Sequence, residues 1–253
     1  MLYKDEAVVV RTMRLGEADR IVTFIGRNNG KIRGVAKGIR RTKSRFGGRL
    51  EPFTHVSLVM WRGKSDLDTV TQAEVLEPFR PIREDLDRFA LGEVMLEACD
   101  RVVQERESSG RVLNLLIDSL HDLVSQSSPL VLASFLLRLS GVAGFAPSMD
   151  RCADCGAPAS WFSPGQGGAV CPSCRTLDAE EVGSSVLELM SDLVGSGFGW
   201  REGGPTGSGQ VFPRPVPSVT DVAVAVRLAR FYTEYHLERR LKSAATAEAM
   251  ARH

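Results

Sequence analysis

Apolar and polar positions follow two different rhythms along this chain. Ala7-Val8-Val9-Val10 and Ile21-Val22-Thr23-Phe24-Ile25 are β-branched or aromatic runs. Each is bounded by turn-forming residues: Leu15-Gly16-Glu17-Ala18-Asp19, then Arg27-Asn28-Asn29-Gly30. Asn and Gly accept positive φ at low cost, so Asn28-Asn29-Gly30 predicts a tight hairpin. Residues 31–39 read as a third strand, with Lys31, Arg33, Val35, Lys37 and Ile39 on one face. Val56, Leu58 and Met60 alternate with His55, Ser57, Val59 and Trp61, which predicts a strand with one face in a core. Thr69 to Leu76 offers a fifth. Five short strands without helical periodicity between them predict a small closed β-barrel, of which the OB-fold is the commonest five-stranded form.

The period changes after Pro81. Leu91, Val94, Met95, Ala98 and Val102 fall on one helical face, and Val112, Leu115, Leu116 and Leu123 continue a second helix. Ser128 followed by Pro129 reads as an N-cap with Pro at the first helical position. The helix after it, Leu130 to Val142, is apolar on nearly every side and is expected at the centre of a helical core. Ser185 and Glu188 have capping-box spacing ahead of Val186, Leu189, Met190 and Leu193. Seven Gly between Gly195 and Gly209, then Pro213, Pro215 and Pro217, predict an irregular surface loop. A last helix is expected over about 220–241. The fold class expected is therefore α+β and multidomain: an N-terminal OB-fold barrel over residues 1–80, an all-α domain over 81–150 and 176–253, and an inserted module over 151–175.

That module is marked by Cys152-x2-Cys155-x15-Cys171-x2-Cys174. Two C-x-x-C turns can each give two soft donors to one tetrahedral ion, so the spacing points to a single structural zinc. Disulfides are disfavoured in a reducing compartment, and redox catalysis typically uses one C-x-x-C beside a βαβ unit. Four thiolates leave no open coordination position, so the metal would fold the segment and would not activate water. Cys99 lies on an apolar helix face and reads as a small buried side chain.

Charge adds what periodicity cannot. The 32 Lys and Arg nearly balance the 31 Asp and Glu, but the balance is not local. Residues 1–80 carry 16 basic and 9 acidic side chains, residues 81–150 carry 6 and 11. Arg27 to Leu50 holds Arg27, Lys31, Arg33, Lys37, Arg40, Arg41, Lys43, Arg45 and Arg49 and no acid. Such a ribbon suits a nucleic-acid backbone, with affinity that falls steeply with salt. Phe46 and Trp61 are the candidates for stacking on bases. No run is long and apolar enough for a membrane span and the N-terminus lacks a secretory pattern, so a cytoplasmic location is expected, and binding to DNA would make it nucleoid-associated.

Enzyme signatures are missing. Gly26-Arg27-Asn28-Asn29-Gly30-Lys31-Ile32 has three residues between its glycines where a P-loop has four, and no Ser or Thr for magnesium. The four His (55, 121, 236 and 253) are scattered, and Asp85 and Asp87 sit at a helix start that favours carboxylates. A metal-dependent nuclease would need an open His/carboxylate site. A zinc-stabilised RNA-binding module remains compatible with the charge pattern.

Leu15-Gly16-Glu17-Ala18-Asp19-Arg20-Ile21-Val22, Gly30 to Gly38 and Lys43 to Phe53 together resemble the RecO family of bacterial recombination mediators. The likeness continues through Phe145-Ala146-Pro147, the four cysteines and Tyr235-His236-Leu237. It implies an OB-fold, a helical domain and a zinc module without enzymatic activity. It also implies binding of single- and double-stranded DNA, annealing of complementary strands, and work with RecR to load RecA onto strands coated by single-stranded DNA-binding protein (SSB). In this family the helical region recognises the acidic C-terminal tail of SSB. Arg239, Arg240 and Lys242 are candidates there, or simply complement a helix C-terminus.

Overall fold

The computed structural model describes residues 1–41, 44, 46, 48–63, 66–195, 200–201, 204–205 and 217–244. Its described residues fall into two compact units, Met1–Val124 and Ser125–Ala245.

In the first unit β1 (Leu2–Leu15), β2 (Asp19–Gly26), β3 (Gly30–Ala36), β4 (His55–Trp61) and β5 (Asp68–Glu77) close into a barrel of order β1-β2-β3-β5-β4. All pairings are antiparallel except β3 with β5, which meet in parallel at Gly34 with Asp68 and Val35 with Thr69. The expected five-stranded OB-like barrel is therefore present. Strand β1 is longer than its apolar run suggests, because it pairs with β4 through its first half and with β2 through its second. A register shift between Val9 and Arg11 lets one strand serve both neighbours. Alternation places Val9, Val22, Phe24, Ile32, Val56, Leu58, Met60 and Val70 inside, where all but Ile32 (3% exposed) are fully buried. Strand β3 ends at Ala36, and Ile39, expected to share one strand face with Lys37, turns into the core.

Helices α1 (Arg80–Glu84), α2 (Leu86–Val102) and α3 (Gly110–Ser125) follow the barrel, and α1, α2 and all but the last residue of α3 share its unit. Residues 80 and 81, the boundary expected from periodicity, thus lie inside one compact unit. The connection between α2 and α3 is bolted to the β2–β3 turn. Arg106 N donates to Asn29 O, Ser109 N to Arg27 O, and the Ser109 hydroxyl to Gly26 O. Gly30 has φ of +60°, and a Cβ there would lie 2.2 Å from the Gln104 carbonyl oxygen, so only glycine fits. Asp5, 5% exposed, accepts from the backbone N–H groups of Arg27, Asn28 and Asn29 and from both Asn side chains. These bonds satisfy a buried carboxylate and hold the hairpin tip.

In the second unit, α4 (Pro129–Val142) packs against α6 (Val219–His236) and α5 (Ser184–Gly195). Ser128 caps α4 by accepting from Leu130 N, and Ser218 caps α6 by accepting from Asp221 N. Helix α5 starts at Ser184, one residue before the Ser185 expected as its cap. Helix α6 stops at His236, short of the expected 241, as Glu238 takes φ of +52° and Arg239 N bonds back to Glu234 O. The Phe145 and His236 rings stack with centroids 4.9 Å apart, joining two segments far apart in sequence. Between α4 and α5, β6 (Trp161–Ser163) pairs with β7 (Gly168–Val170) and β8 (Glu180–Glu181). In the segment expected to be irregular, β9 (Trp200–Arg201) pairs with β10 (Gly204–Pro205); the rest of 196–216 lies outside the described residues. Among the described residues no helix is long and apolar enough to cross a membrane.

Candidate nucleic-acid surface and four-cysteine cluster

The cationic ribbon divides into two groups. Arg27 is spent on the fold: its Nε and Nη2 donate to the two oxygens of Glu6 at 2.8 Å. That pairing raises the basicity of Arg27 and holds the Glu6 carboxyl below its ordinary value of 4.5, with His55 Nε2 also 2.9 Å from Glu6 Oε1. Lys31 is likewise turned toward α2, its ammonium 3.3 Å from the Asp100 carboxylate.

Arg33, Lys37, Arg40, Arg41 and Arg49 are exposed. Arg33 projects from the outer face of β3, and Lys37 follows the strand end. Arg40 and Arg41 sit in the connection beyond, which docks on the β1–β2 turn through Gly38 N to Asp19 Oδ1 and Arg40 N to Ala18 O. Arg40 Nη1 also donates to the Glu17 carbonyl at 2.9 Å, which leaves its charge unneutralised and its position defined. Arg49 Nη1 reaches the Ala73 carbonyl. Lys43 and Arg45 lie outside the described residues.

Phe46 corrects an expectation. Its side chain is 1% exposed inside the barrel core beside Leu50 and Leu58, so neither ring face is open to a base. Apolar burial outcompeted display, as it does for most aromatic side chains. Trp61, at the end of β4, is 50% exposed.

Sequence reasoning missed Arg11. Cross-strand pairing aligns Arg11 with Thr23 and Thr23 with Arg33, so two cations share one row of the outer face. Arg11 is 3.8 Å from Asp100 yet its side chain is 66% exposed. It lies sixteen residues before the anion-free ribbon. Alternation with Val10 and Thr12 was its one signal.

The four expected cysteines converge. The Sγ atoms of Cys152, Cys155, Cys171 and Cys174 all lie within 4.8 Å of one another, with Cys155 and Cys171 at 3.7 Å. A tetrahedron with metal–sulfur bonds of about 2.3 Å has edges of roughly 3.8 Å, so the cluster can hold a metal ion. Both knuckles are backbone turns: Gly156 N donates to Cys152 O at 2.9 Å and Cys174 N to Cys171 O at 3.2 Å. Gly156 has the positive φ such a turn requires. Gln166 ties the knuckles together, its amide donating to Asp154 Oδ2 and Cys174 O while its oxygen accepts from Thr176 N. Backbone N–H groups, first that of Cys155, draw the Cys152 thiol down to about 6. Hydrogen bonds with Cys155 and Cys171 push Cys174 up to about 12. Four sulfurs this close repel one another as thiolates, and a divalent cation among them removes the conflict. By contrast the Cys99 thiol is fully buried and driven up by desolvation, as an inert core residue should be.

Comparison with known proteins covers both regions. The family description "Recombination protein O N terminal" matches residues 1–79, and "Recombination protein O C terminal" matches residues 83–201. The chain is 44% identical over 257 residues to the DNA repair protein RecO of Nocardioides sp., covering 98% of this chain and 100% of that one. It is 37% identical over 253 residues to the DNA repair protein RecO of Streptomyces coelicolor, covering 96% and 97%. It is also 44% identical to that of Frankia casuarinae over 200 residues, 76% of this chain and 82% of the relative. With a five-stranded barrel ahead of a helical region that carries four clustered cysteines, and near full-length likeness to these relatives, this chain belongs to the RecO family of DNA repair and recombination proteins.

Proposed function

We propose that this protein is a non-catalytic recombination mediator that binds single- and double-stranded DNA on the cationic side of its barrel and anneals complementary strands. The observation that carries this reading is the group Arg33, Lys37 and Arg41, exposed and given over to no carboxylate among the described residues. Cations held in one region offset phosphate–phosphate repulsion when a second strand arrives, and they do so without a nucleotide cofactor. One zinc ion, held by Cys152, Cys155, Cys171 and Cys174, would order the module and leave no coordination position for substrate. Membership of the RecO family implies RecR and the SSB C-terminal tail as partners, RecA as an indirect one, and a cytoplasmic, nucleoid-associated location.

The test is binding of labelled oligonucleotides by the full-length chain and by Arg33→Glu/Lys37→Glu/Arg41→Glu, across a salt series. Losing three phosphate contacts on a single strand should reduce the slope of log K against log salt by about 2. Annealing of complementary strands should slow in parallel and show no ATP dependence. Unchanged binding in the triple variant overturns the assigned surface, cleavage of DNA with magnesium or manganese overturns the non-catalytic reading, and preferential competition by RNA overturns the choice of DNA.

A further inference from the structure

Two faces of the first unit are left uncovered, and each sets an apolar patch beside one sign of charge. On the outer side of α2, Leu86, Phe89 and Glu93 fall within about 60° of one another around the helix axis. Leu86 is 63% exposed and Phe89 37%, although the Phe89 ring meets Phe53 edge to face. Glu93 is half-buried and has no cationic partner among the described residues. Burial, then the charge of Glu97, raises its carboxyl above the ordinary value. Asp87, exposed beside Leu86, adds a second carboxylate.

The other face is the outside of the barrel. Met13 pairs across the ladder with Ile21, and Ile21 with Val35, so the three side chains stand abreast on β1, β2 and β3. Val22, Ile32 and Ala36, on the alternate positions, fill the core. Met13 is 55% exposed, and Ile21 and Val35 are half-buried. Arg33, two residues before Val35, and Lys37, two residues after it, are exposed and given over to no carboxylate among the described residues.

The two faces match in kind, spacing and sign. A helix laid on a sheet is a standard way to bury one apolar face of each. Along α2, Leu86 and Phe89 lie roughly 10 and 6 Å from Glu93; on the barrel, the apolar row lies about 7 Å from Arg33. Met13 and Leu86 are both more than half exposed, so neither patch covers the other within one chain. We propose that the α2 face of one copy docks on the barrel strip of a second copy, with Glu93 and Asp87 meeting Arg33 and Lys37, so that copies associate head to tail. The contact joins two different patches, so it leaves one of each free and does not close on itself. One helix face on three strands is a small interface, so association is weak and sensitive to salt. Arg33 and Lys37 also belong to the proposed DNA surface, so DNA and a second copy exclude each other, a consequence that rests on the DNA-binding reading above.

Sedimentation velocity of the full-length chain over a concentration series tests it. At low salt the weight-average sedimentation coefficient should rise with concentration, and at high salt it should fall to the monomer value. Glu93→Lys alone and Arg33→Glu alone should each stay monomeric. Mixed, they should pair, since the first keeps an intact barrel strip and the second an intact helix face. Leu86→Ser, at an exposed position, should weaken association about fivefold and serves if Glu93→Lys fails to fold. A wild type that is monomeric at every concentration, single variants that associate as wild type does, or a mixture of folded variants that stays monomeric overturns the interface. Saturating oligothymidylate should return the wild type to monomers, and assemblies that persist with DNA bound overturn the exclusion. If oligothymidylate does not bind at all, the DNA-binding reading fails, and the variant series still decides the interface.

Discussion

The barrel gathers fourteen buried residues into one cluster, from Ala7 and Val9 to Val70 and Ala73. The cysteine module gathers three, Cys152, Val170 and Cys171, with partly buried neighbours such as Trp161. Its strands are two or three residues long, against seven to fourteen in the barrel. A segment this short has too little apolar surface to offset its conformational entropy, whereas the barrel closes its ladder and its core on themselves. The difference teaches where each region can find its order: hydrophobic burial throughout the barrel, and in the module a small apolar patch beside four cysteines that could hold a metal ion.

Removing the proposed zinc is the strongest way to break the comparison. Structural zinc sites in small peptides contribute about 10–16 kcal/mol, so a tight chelator should abolish hydrogen-exchange protection across β6, β7 and β8 while β1–β5 stay protected. Persistent protection of β6 and β7 after complete metal removal would mean that Gln166 and the hairpin suffice. Phe46→Ala tests the other side. Truncating a fully buried ring should cost about 3–5 kcal/mol in chemical denaturation, with little change in DNA affinity per folded molecule. A large affinity loss without destabilisation would return Phe46 to the binding surface.

A smaller effect sharpens the contrast within the barrel. Arg27 holds the folded-state Glu6 carboxyl below 4.5, so in acid the unfolded chain takes up this proton first. The stability from the pair is complete above the unfolded value and is lost as pH falls through the lower folded one. Glu6→Gln should therefore flatten the acid limb of the urea midpoint below the ordinary carboxylate value of 4.5 and leave the cysteine module untouched.

Strand periodicity made the five barrel strands legible, because each core position recurs every second residue and β-branched side chains mark it. The cysteine site was legible for a different reason: two short spacings encode two turns, and a tetrahedral ion needs little else. The cationic surface was legible only in part. Sequence places Arg27 and Lys31 beside Arg33, but only the tertiary fold brings Glu6 and Asp100 to claim the first two. Phe46 follows Arg45 in a run of cations and looks displayed, yet its side chain is buried in the barrel core. Arg11 was hidden because register, not proximity along the chain, places it in a row with Arg33.

The buried Asp5 carboxylate carries a consequence for the order of events in folding. The turn between β2 and β3 takes its amide acceptor from a residue 22 to 24 positions upstream, so the hairpin is not locally self-sufficient. The amides of Arg27, Asn28 and Asn29 find that acceptor only once β1 has arrived, and the entropy of closing that span is spent beforehand. Docking of the first strand is thus the step that locks the tip, and the ribbon it fixes is the one whose following residues present Arg33 and Lys37 to solvent.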